Sequence, residues 1–139
     1  MKNQIKTVTF FEAGKAFFTV SNPVNEHYTY KIRKKKFDSK SCWFIYLLTG
    51  TDNESSYTYL GCYEPSLKTV RLTSKSQYLP ESKPVKVLQW AINKVKQNST
   101  IPEGYKIQHE GKCARCGRLL TTPQSIDLGI GPECIKHMK

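Results

Sequence analysis

The segment HEGKCARCG, residues 109–117, organises this chain. Cys113 and Cys116 are separated by two residues and followed by a glycine, a spacing that lets consecutive backbone amides curl around one tetrahedral zinc ion. Cys134 supplies a third thiol from further along the chain. Three thiolates of a closed structural site leave one position for a fourth ligand. We therefore predict a zinc knuckle in residues 105–139.

Two histidines are candidates for the fourth zinc ligand. His109 ends the segment Tyr105–His109, which predicts a strand leading into the knuckle, and a strand would hold the imidazole firmly. His137 would form a symmetric C-x2-H second half with Cys134, but it lies close to the C-terminus, where chains are usually poorly ordered. We favour His109 and keep His137 as the alternative.

The residues between the two halves of the predicted site indicate a short helix. Thr122 can cap it, and Pro123 is tolerated at its first position. Ile126 would face inward, and Gly129 would end the helix in the left-handed conformation. A helix of one or two turns would then present Cys134 to the other two cysteines.

Other interpretations of the cysteines are a redox pair, simple burial and a catalytic zinc site. A redox C-x-x-C pair needs neither a third cysteine nor a histidine nearby. A catalytic zinc keeps an open coordination position beside a general base. Glu110 and Glu133 adjoin predicted ligands, but neither lies in an H-x-E…P-C-x-x-C or H-E-x-x-H pattern. We expect a structural zinc and no enzyme, because no nucleophile, base and orienting group form a recognisable arrangement.

The tail EGYKIQHEGKCARCGRLLTTPQSIDLGIGPEC, residues 103–134, resembles the C-terminal signature of a family of small, largely uncharacterised bacteriophage and prophage proteins. A histidine, two knuckle cysteines, a T-x-P-x-S-I segment and a G-I-G-P-E-C ending recur in that family. The front of the chain is similar to the family in FTVSNP, HYTYKIRKK, WFIYLLTGTDNESSYTYLG and VRLTSKS. The resemblance implies zinc ligands at His109, Cys113, Cys116 and Cys134, and it implies no activity.

Upstream of the knuckle, residues 1–104 predict an α+β domain, in which an antiparallel sheet of five or six strands carries one packed helix. A short helix at residues 11–15 is the alternative to the first strand. The long helix should begin near Pro84 and lay an apolar stripe on the sheet. The strands are expected at residues 5–11, 15–20, 26–36, 42–49, 57–63 and 67–73. The stripe consists of Val87, Leu88, Ala91, Ile92 and Val95.

The composition fits one globular domain with a metal-binding appendage. The chain has 139 residues, 38% of them hydrophobic, which is enough for one core. No apolar run reaches the roughly 18 residues of a transmembrane helix, and the first residues do not resemble a signal peptide. Five cysteines, three of them in a metal spacing, agree with a reducing compartment. We therefore expect a soluble protein of the host cell cytoplasm without a membrane partner.

The formal net charge of +11 indicates a negatively charged partner. The densest basic run, RKKK at residues 33–36, ends a predicted strand, where it is either a solvated hairpin tip or a phosphate contact. We expect nucleic acid, DNA or RNA, bound mainly at its phosphates with little base specificity. The candidate contacts are Arg33, Lys34, Lys35, Lys36, Lys112, Arg115 and Arg118.

Two further functional hypotheses stay open. Eight tyrosines, several of them in predicted strands beside basic residues, suggest a stacking platform for unpaired bases, although aromatic residues in strands are more often part of a core. The second hypothesis is a protein-interaction module that inhibits or recruits a host or phage enzyme. Salt discriminates between phosphate binding, which weakens steeply as salt rises, and a shape-matched protein complex, which persists. The sequence does not indicate the oligomeric state.

Overall fold

The structure is a computed structural model that describes residues 3–24, 26–49, 56–120 and 123–137, without the side chains of Pro123 and His137. The helices are α1 (Thr9–Glu12), α2 (Lys83–Lys96), α3 (Pro123–Leu128) and α4 (Pro132–His137). The strands are β1 (Lys15–Ser21), β2 (His27–Phe37), β3 (Lys40–Leu48), β4 (Tyr57–Glu64), β5 (Thr69–Arg71) and β6 (Lys106–His109). None of the described helices is long and apolar enough to span a membrane.

The strands form an antiparallel sheet in the order β5-β4-β3-β2-β1-β6. The first five strands make a meander, because each pairs with the next strand along the chain. β6 returns from the C-terminal part of the chain and pairs with β1 at the opposite edge. The predicted α+β class is confirmed. The predicted boundary at residue 104 falls just before β6, so the predicted knuckle segment begins inside the sheet.

One face of the sheet, here called the inner face, carries the core. Along β1, buried residues alternate with half-exposed ones, as expected for a strand that covers a core on one side. α2 packs on this face through most of the predicted stripe, with Leu88, Ala91, Ile92 and Val95 buried and Val87 partly buried. Buried residues of the inner face include Ala16, Phe18, Val20, Tyr30, Ile32, Ile45, Leu47 and Ile107.

Residues 5–11 do not form the predicted first strand. The chain forms α1 instead, and the adjacent residues Phe10 and Phe11 are both buried. Neighbouring side chains of a strand point to opposite faces, whereas a helical turn can direct both into one core. Ile5 lies beside β6, where its N–H donates to the carbonyl of Ile107 at 3.0 Å. The predicted first strand is therefore wrong, and the short-helix alternative at residues 11–15 is closer to the structure.

Candidate metal centre

Cys113, Cys116 and Cys134 come together beyond the end of β6. Their Sγ atoms all lie within 4.8 Å of one another. Cys113 and Cys116 lie on a turn that follows the strand, and Cys134 lies on α4. Cys113 and Cys134 are buried, while Cys116 is exposed. The fold thus joins two segments of the chain that the sequence separates.

Local backbone geometry brings the two segments to each other. Gly129 adopts a positive φ of 71° after α3, and its carbonyl accepts the N–H of Ala114 at 2.8 Å. The N–H of Gly117 donates to the carbonyl of Cys113 at 2.8 Å and closes the turn between the first two cysteines. The left-handed stop predicted at Gly129 is present, while the predicted cap, Thr122, lies outside the described residues.

Backbone N–H groups surround the sulfur of Cys113. The N–H of Gly131 and that of Arg115 donate to this Sγ at 3.2 and 3.4 Å. Burial raises the pKa of this thiol, but these two N–H groups, together with the N–H and the thiol of Cys116, outweigh the burial and lower the pKa of Cys113 to about 7. At Cys134, burial raises the pKa and the Arg115 side chain opposes the rise. The backbone around Cys113 thus stabilises negative charge on this one sulfur, and the thiolate is the form of cysteine that binds metals.

The three thiols fit a single metal ion. A zinc–sulfur distance of about 2.3 Å puts the thiolates of a tetrahedral site about 3.8 Å apart, so a small closure of the group would suffice. Thiolates are soft ligands that favour zinc over hard cations such as calcium and magnesium. These three cysteines could therefore hold a metal ion, and when bound the ion would link the turn after β6 to α4.

His109, the predicted fourth ligand, lies outside the group formed by the three thiols. Its Nε2 donates to the carbonyl of Ile126 at 2.6 Å, and its Nδ1 accepts the N–H of Gly111 at 2.9 Å. The side chain is only 3% exposed, and burial lowers the pKa of His109, which favours the neutral ring. Both ring nitrogens are therefore engaged within the protein, and His109 connects β6 to α3.

The alternative ligand, His137, ends α4 three residues after Cys134. Its side chain lies outside the described part of the structure, so its position relative to the thiols is not described. Residues three apart on a helix are neighbours on its surface, which keeps the C-x2-H spacing compatible with a shared ligand set.

Residues 107–139 match the model of DUF6011, a family of unknown function. The matched segment starts in β6 and includes all three clustered cysteines together with α3 and α4, the second of which carries Cys134. The similarity therefore coincides with the candidate metal centre. No curated protein and no solved structure matches the chain.

The predicted basic residues lie at the same end of the sheet as the thiols. Lys34, Lys35 and Lys36 are exposed at the end of β2. The N–H of Lys34 donates to the carbonyl of Gly14 at 3.0 Å, and the N–H of Lys15 donates to that of Ala114 at 2.5 Å. Ala114 lies between Cys113 and Arg115, so two residues of the 14–15 turn connect the basic run of β2 to the knuckle. The knuckle residues Lys112, Arg115 and Arg118 are also exposed.

Arg33 is less exposed than predicted, and Lys15 is an additional exposed cation beside it. Arg33 is half-buried and donates through Nη1 to the carbonyl of Ala16 at 3.4 Å, and burial lowers its pKa. Lys15 is exposed beside Arg33, with which it pairs in the sheet register, and sequence reasoning did not propose it as a contact. The sequence gives no indication that Lys15 lies near the other basic residues, because this position depends on the pairing of β1 with β2 and on the contact with Ala114.

Proposed function

We propose that this protein is a small zinc-binding accessory protein of a bacteriophage that binds nucleic acid mainly through phosphate contacts and is not an enzyme. The observation that carries the proposal is the convergence of the basic run of β2 and the basic knuckle at one end of the sheet. We call this surface the basic end. It comprises Lys15, Arg33, Lys34, Lys35, Lys36, Lys112, Arg115 and Arg118.

The charges of the basic end are not neutralised within the described residues. The described ion pairs involve Lys6, Lys68, Arg71 and Lys136, and none of them includes a residue of the basic end. Like charges that are held close together repel each other. A bound anion that contacts all of them would remove this electrostatic repulsion. A nucleic acid backbone presents such charges in a row, and its binding releases counterions.

Zinc would fix the knuckle side of this surface. Because Lys112, Arg115 and Arg118 lie beside the clustered cysteines, a bound ion would hold their backbone in one conformation. We propose Cys113, Cys116 and Cys134 as three ligands and His137 as the fourth, since both nitrogens of His109 are engaged elsewhere.

The test is binding of the zinc-loaded protein to labelled single-stranded DNA, duplex DNA and RNA over a salt series. The variant Lys34→Gln/Lys35→Gln/Lys36→Gln removes three exposed charges from the basic end. We expect weaker binding and a salt slope that is smaller by about 0.7 to 0.9 for each phosphate that the variant no longer neutralises. The matched control Lys83→Gln/Lys86→Gln/Lys96→Gln removes three exposed lysines from α2 and should change the slope much less.

Two results would contradict the proposal. Equal reductions in affinity in the two triple variants would mean that net charge, and not the basic end, drives binding. Absence of binding to any of the three polymers at low salt would favour the protein-interaction module, for which a partner from the host or the phage would be sought.

A further inference from the structure

The face of the sheet opposite to the core, here called the outer face, carries a continuous group of aromatic side chains. Phe17 of β1 pairs with Lys31 of β2, which pairs with Tyr46 of β3. Tyr46 pairs in turn with Tyr59 of β4, so one row of residues crosses four strands on this face. The aromatic residues of the outer face are Phe17, Phe37, Phe44, Tyr46, Tyr57 and Tyr59.

The rings hold each other in place. Phe17 and Tyr57 have ring centroids 6.2 Å apart at an interplanar angle of 78°, and Tyr46 and Tyr59 have centroids 5.9 Å apart at 64°. Phe44 contacts Tyr59 at 6.2 Å. Edge-to-face contacts of this kind restrict side-chain rotation. A ligand that stacks on these rings therefore causes only a small further loss of side-chain entropy. All six rings are at least partly exposed.

Three cations of β2 lie among these rings. The Nζ of Lys31 is 4.0 Å from the ring centroid of Tyr57, and the Nζ of Lys35 is 5.8 Å from that of Phe44. Arg33 lies between them on the same side of the strand, because every second residue points to the same face. Successive cations on one face of a strand are therefore about 6.6 Å apart along β2.

The cations of the outer face lack a carboxylate partner in the described part of the chain. Burial lowers the pKa of Lys31 and of Arg33, so burial disfavours the positive charge at both positions. Two acidic groups lie at the borders, where Glu110 accepts from Thr19 and Glu64 pairs with Arg71. The centre of the face is thus aromatic and positively charged, which complements a ligand with flat rings and regularly spaced negative charges.

We propose that the outer face binds single-stranded nucleic acid, with unpaired bases stacked on Phe44, Tyr46 and neighbouring rings and phosphates on Lys31, Arg33 and Lys35. This inference rests on the proposed function, nucleic-acid binding, and adds that the bound nucleic acid is single-stranded. Aromatic platforms with interspersed cations bind single strands because every unpaired base offers a ring face. A duplex hides these ring faces in its base stack, so it can use only the cations.

The test compares a labelled oligodeoxythymidine, a labelled oligouridine and a blunt DNA duplex with the full-length, zinc-loaded protein. Tyr46→Leu and Phe44→Leu each remove one ring while keeping an apolar side chain on the strand. We expect each variant to weaken single-strand binding about five- to fifty-fold, with little change for the duplex and no change in salt slope. The matched control is Tyr105→Leu, which alters a half-buried tyrosine beside Trp90, away from the outer face.

A second measurement does not depend on the stability of the variants. Photo-cross-linking of wild-type protein to an oligomer that contains 5-iodouracil, followed by peptide mapping, should place cross-links on β3 and β4. Cross-links confined to the knuckle would overturn the proposal. Equal affinity for duplex and single strands, together with unchanged binding by Tyr46→Leu and Phe44→Leu, would also overturn it while leaving phosphate binding by the basic end intact.

A further outcome separates this inference from the proposed function. If the protein is a dimer that the two outer-face variants convert to a monomer with unchanged nucleic-acid affinity, the face is an interface between copies and the inference fails. If no polymer binds, both the inference and the proposed function fail. Weaker binding of the duplex and the single strands by the same factor in the outer-face variants would likewise contradict base stacking.

Discussion

His109 is a buried side chain that helps to position the candidate metal centre and lies outside its group of thiols. Its ring packs against Phe10, with centroids 5.7 Å apart, and its hydrogen bond to the carbonyl of Ile126 ties β6 to α3. Gly129 packs against the rings of Phe10 and His109. A Cβ at this position would lie 2.7 Å from Phe10 and 3.2 Å from His109, so only glycine fits without a shift of its neighbours. The segment that connects α3 to Cys134 therefore begins in close contact with the rings of Phe10 and His109.

A pair of histidine variants tests the assignment of the fourth ligand. We expect His137→Ala to lower the zinc stoichiometry or affinity. We expect His109→Ala to retain zinc while lowering the free energy of unfolding by about 1–3 kcal/mol, since the partly buried carbonyl of Ile126 loses its donor. Zinc content measured by metal release and unfolding measured by denaturant give the two readouts. Loss of zinc in His109→Ala alone would restore His109 as the ligand.

Gly129→Ala tests the close packing at the end of α3. The left-handed conformation at φ 71° disfavours any side chain, and the new methyl group would overlap the ring of Phe10. We expect a decrease of about 2–4 kcal/mol in the free energy of unfolding, measured by denaturant titration. Gly117→Ala, where a Cβ meets nothing within 4 Å, is the control for the conformational part of the effect. Equal decreases in the two variants would contradict the packing argument.

Among the elements, α2 depends on the sheet through both its apolar stripe and one buried hydroxyl. Tyr30 of β2 is fully buried, and its hydroxyl donates to the carbonyl of Pro84 in the first turn of α2 at 2.7 Å. Burial raises the pKa of Tyr30, with smaller contributions from Tyr28 and Tyr78. The hydroxyl is therefore kept protonated in the folded protein well beyond its ordinary range.

This shift predicts a loss of stability in alkali. A pKa raised by folding contributes stability that is fully present below the ordinary pKa of 10.0 and is lost as the pH rises above it. We expect the unfolding free energy to fall above about pH 10, by up to about 1.4 kcal/mol per pH unit for each such tyrosine. Tyr30→Phe should cost about 0.5–1.5 kcal/mol at neutral pH and show a shallower fall. A fall as steep as that of wild type would contradict the role of Tyr30.

The elements differ in how far their sequences predict them. α2 and the central strands were predictable because their periodicity matches the face they bury, as at Leu88, Ala91 and Ile92. α1 was not predictable, because the residues from Ile5 to Phe11 alternate as they would in a strand. Only the position of the core shows that Phe10 and Phe11 are buried on the same side. The pairing of β6 with β1 is a long-range interaction that no local pattern contains.

At the scale of the whole molecule, the knuckle is part of one core. Cys113, Ala114, Leu120, Ile130 and Cys134 belong to the same cluster of buried residues as the inner face of the sheet. The cysteine cluster was predictable from spacing, because C-x2-C-G carries its own geometry. The surroundings of His109 and the position of Lys15 were not, since the hydrogen bonds of His109 and the contact of Lys15 with Ala114 depend on the tertiary fold.

Metal removal should therefore affect more than the tail. We expect a chelator to lower the melting temperature of the zinc-loaded protein by roughly 10 °C or more, because structural zinc contributes folding free energy. Cys113→Ser and Cys134→Ser should bind zinc weakly and respond little to the chelator. Cys42→Ser, at a half-buried cysteine outside the cluster, should respond like wild type. An unchanged melting profile of the wild type without metal would contradict a structural zinc site.

The salt dependence of nucleic-acid binding tests the shared basic end most directly. It would be measured for wild type, for Lys34→Gln/Lys36→Gln in β2, for Lys112→Gln/Arg118→Gln in the knuckle, and for the combined variant. If both segments contact one nucleic acid, each pair lowers the slope by up to about 1.4 to 1.8, and the combined variant lowers it more than either pair. A wild-type protein whose binding is absent or independent of salt, or a slope that either pair leaves unchanged, would contradict the account.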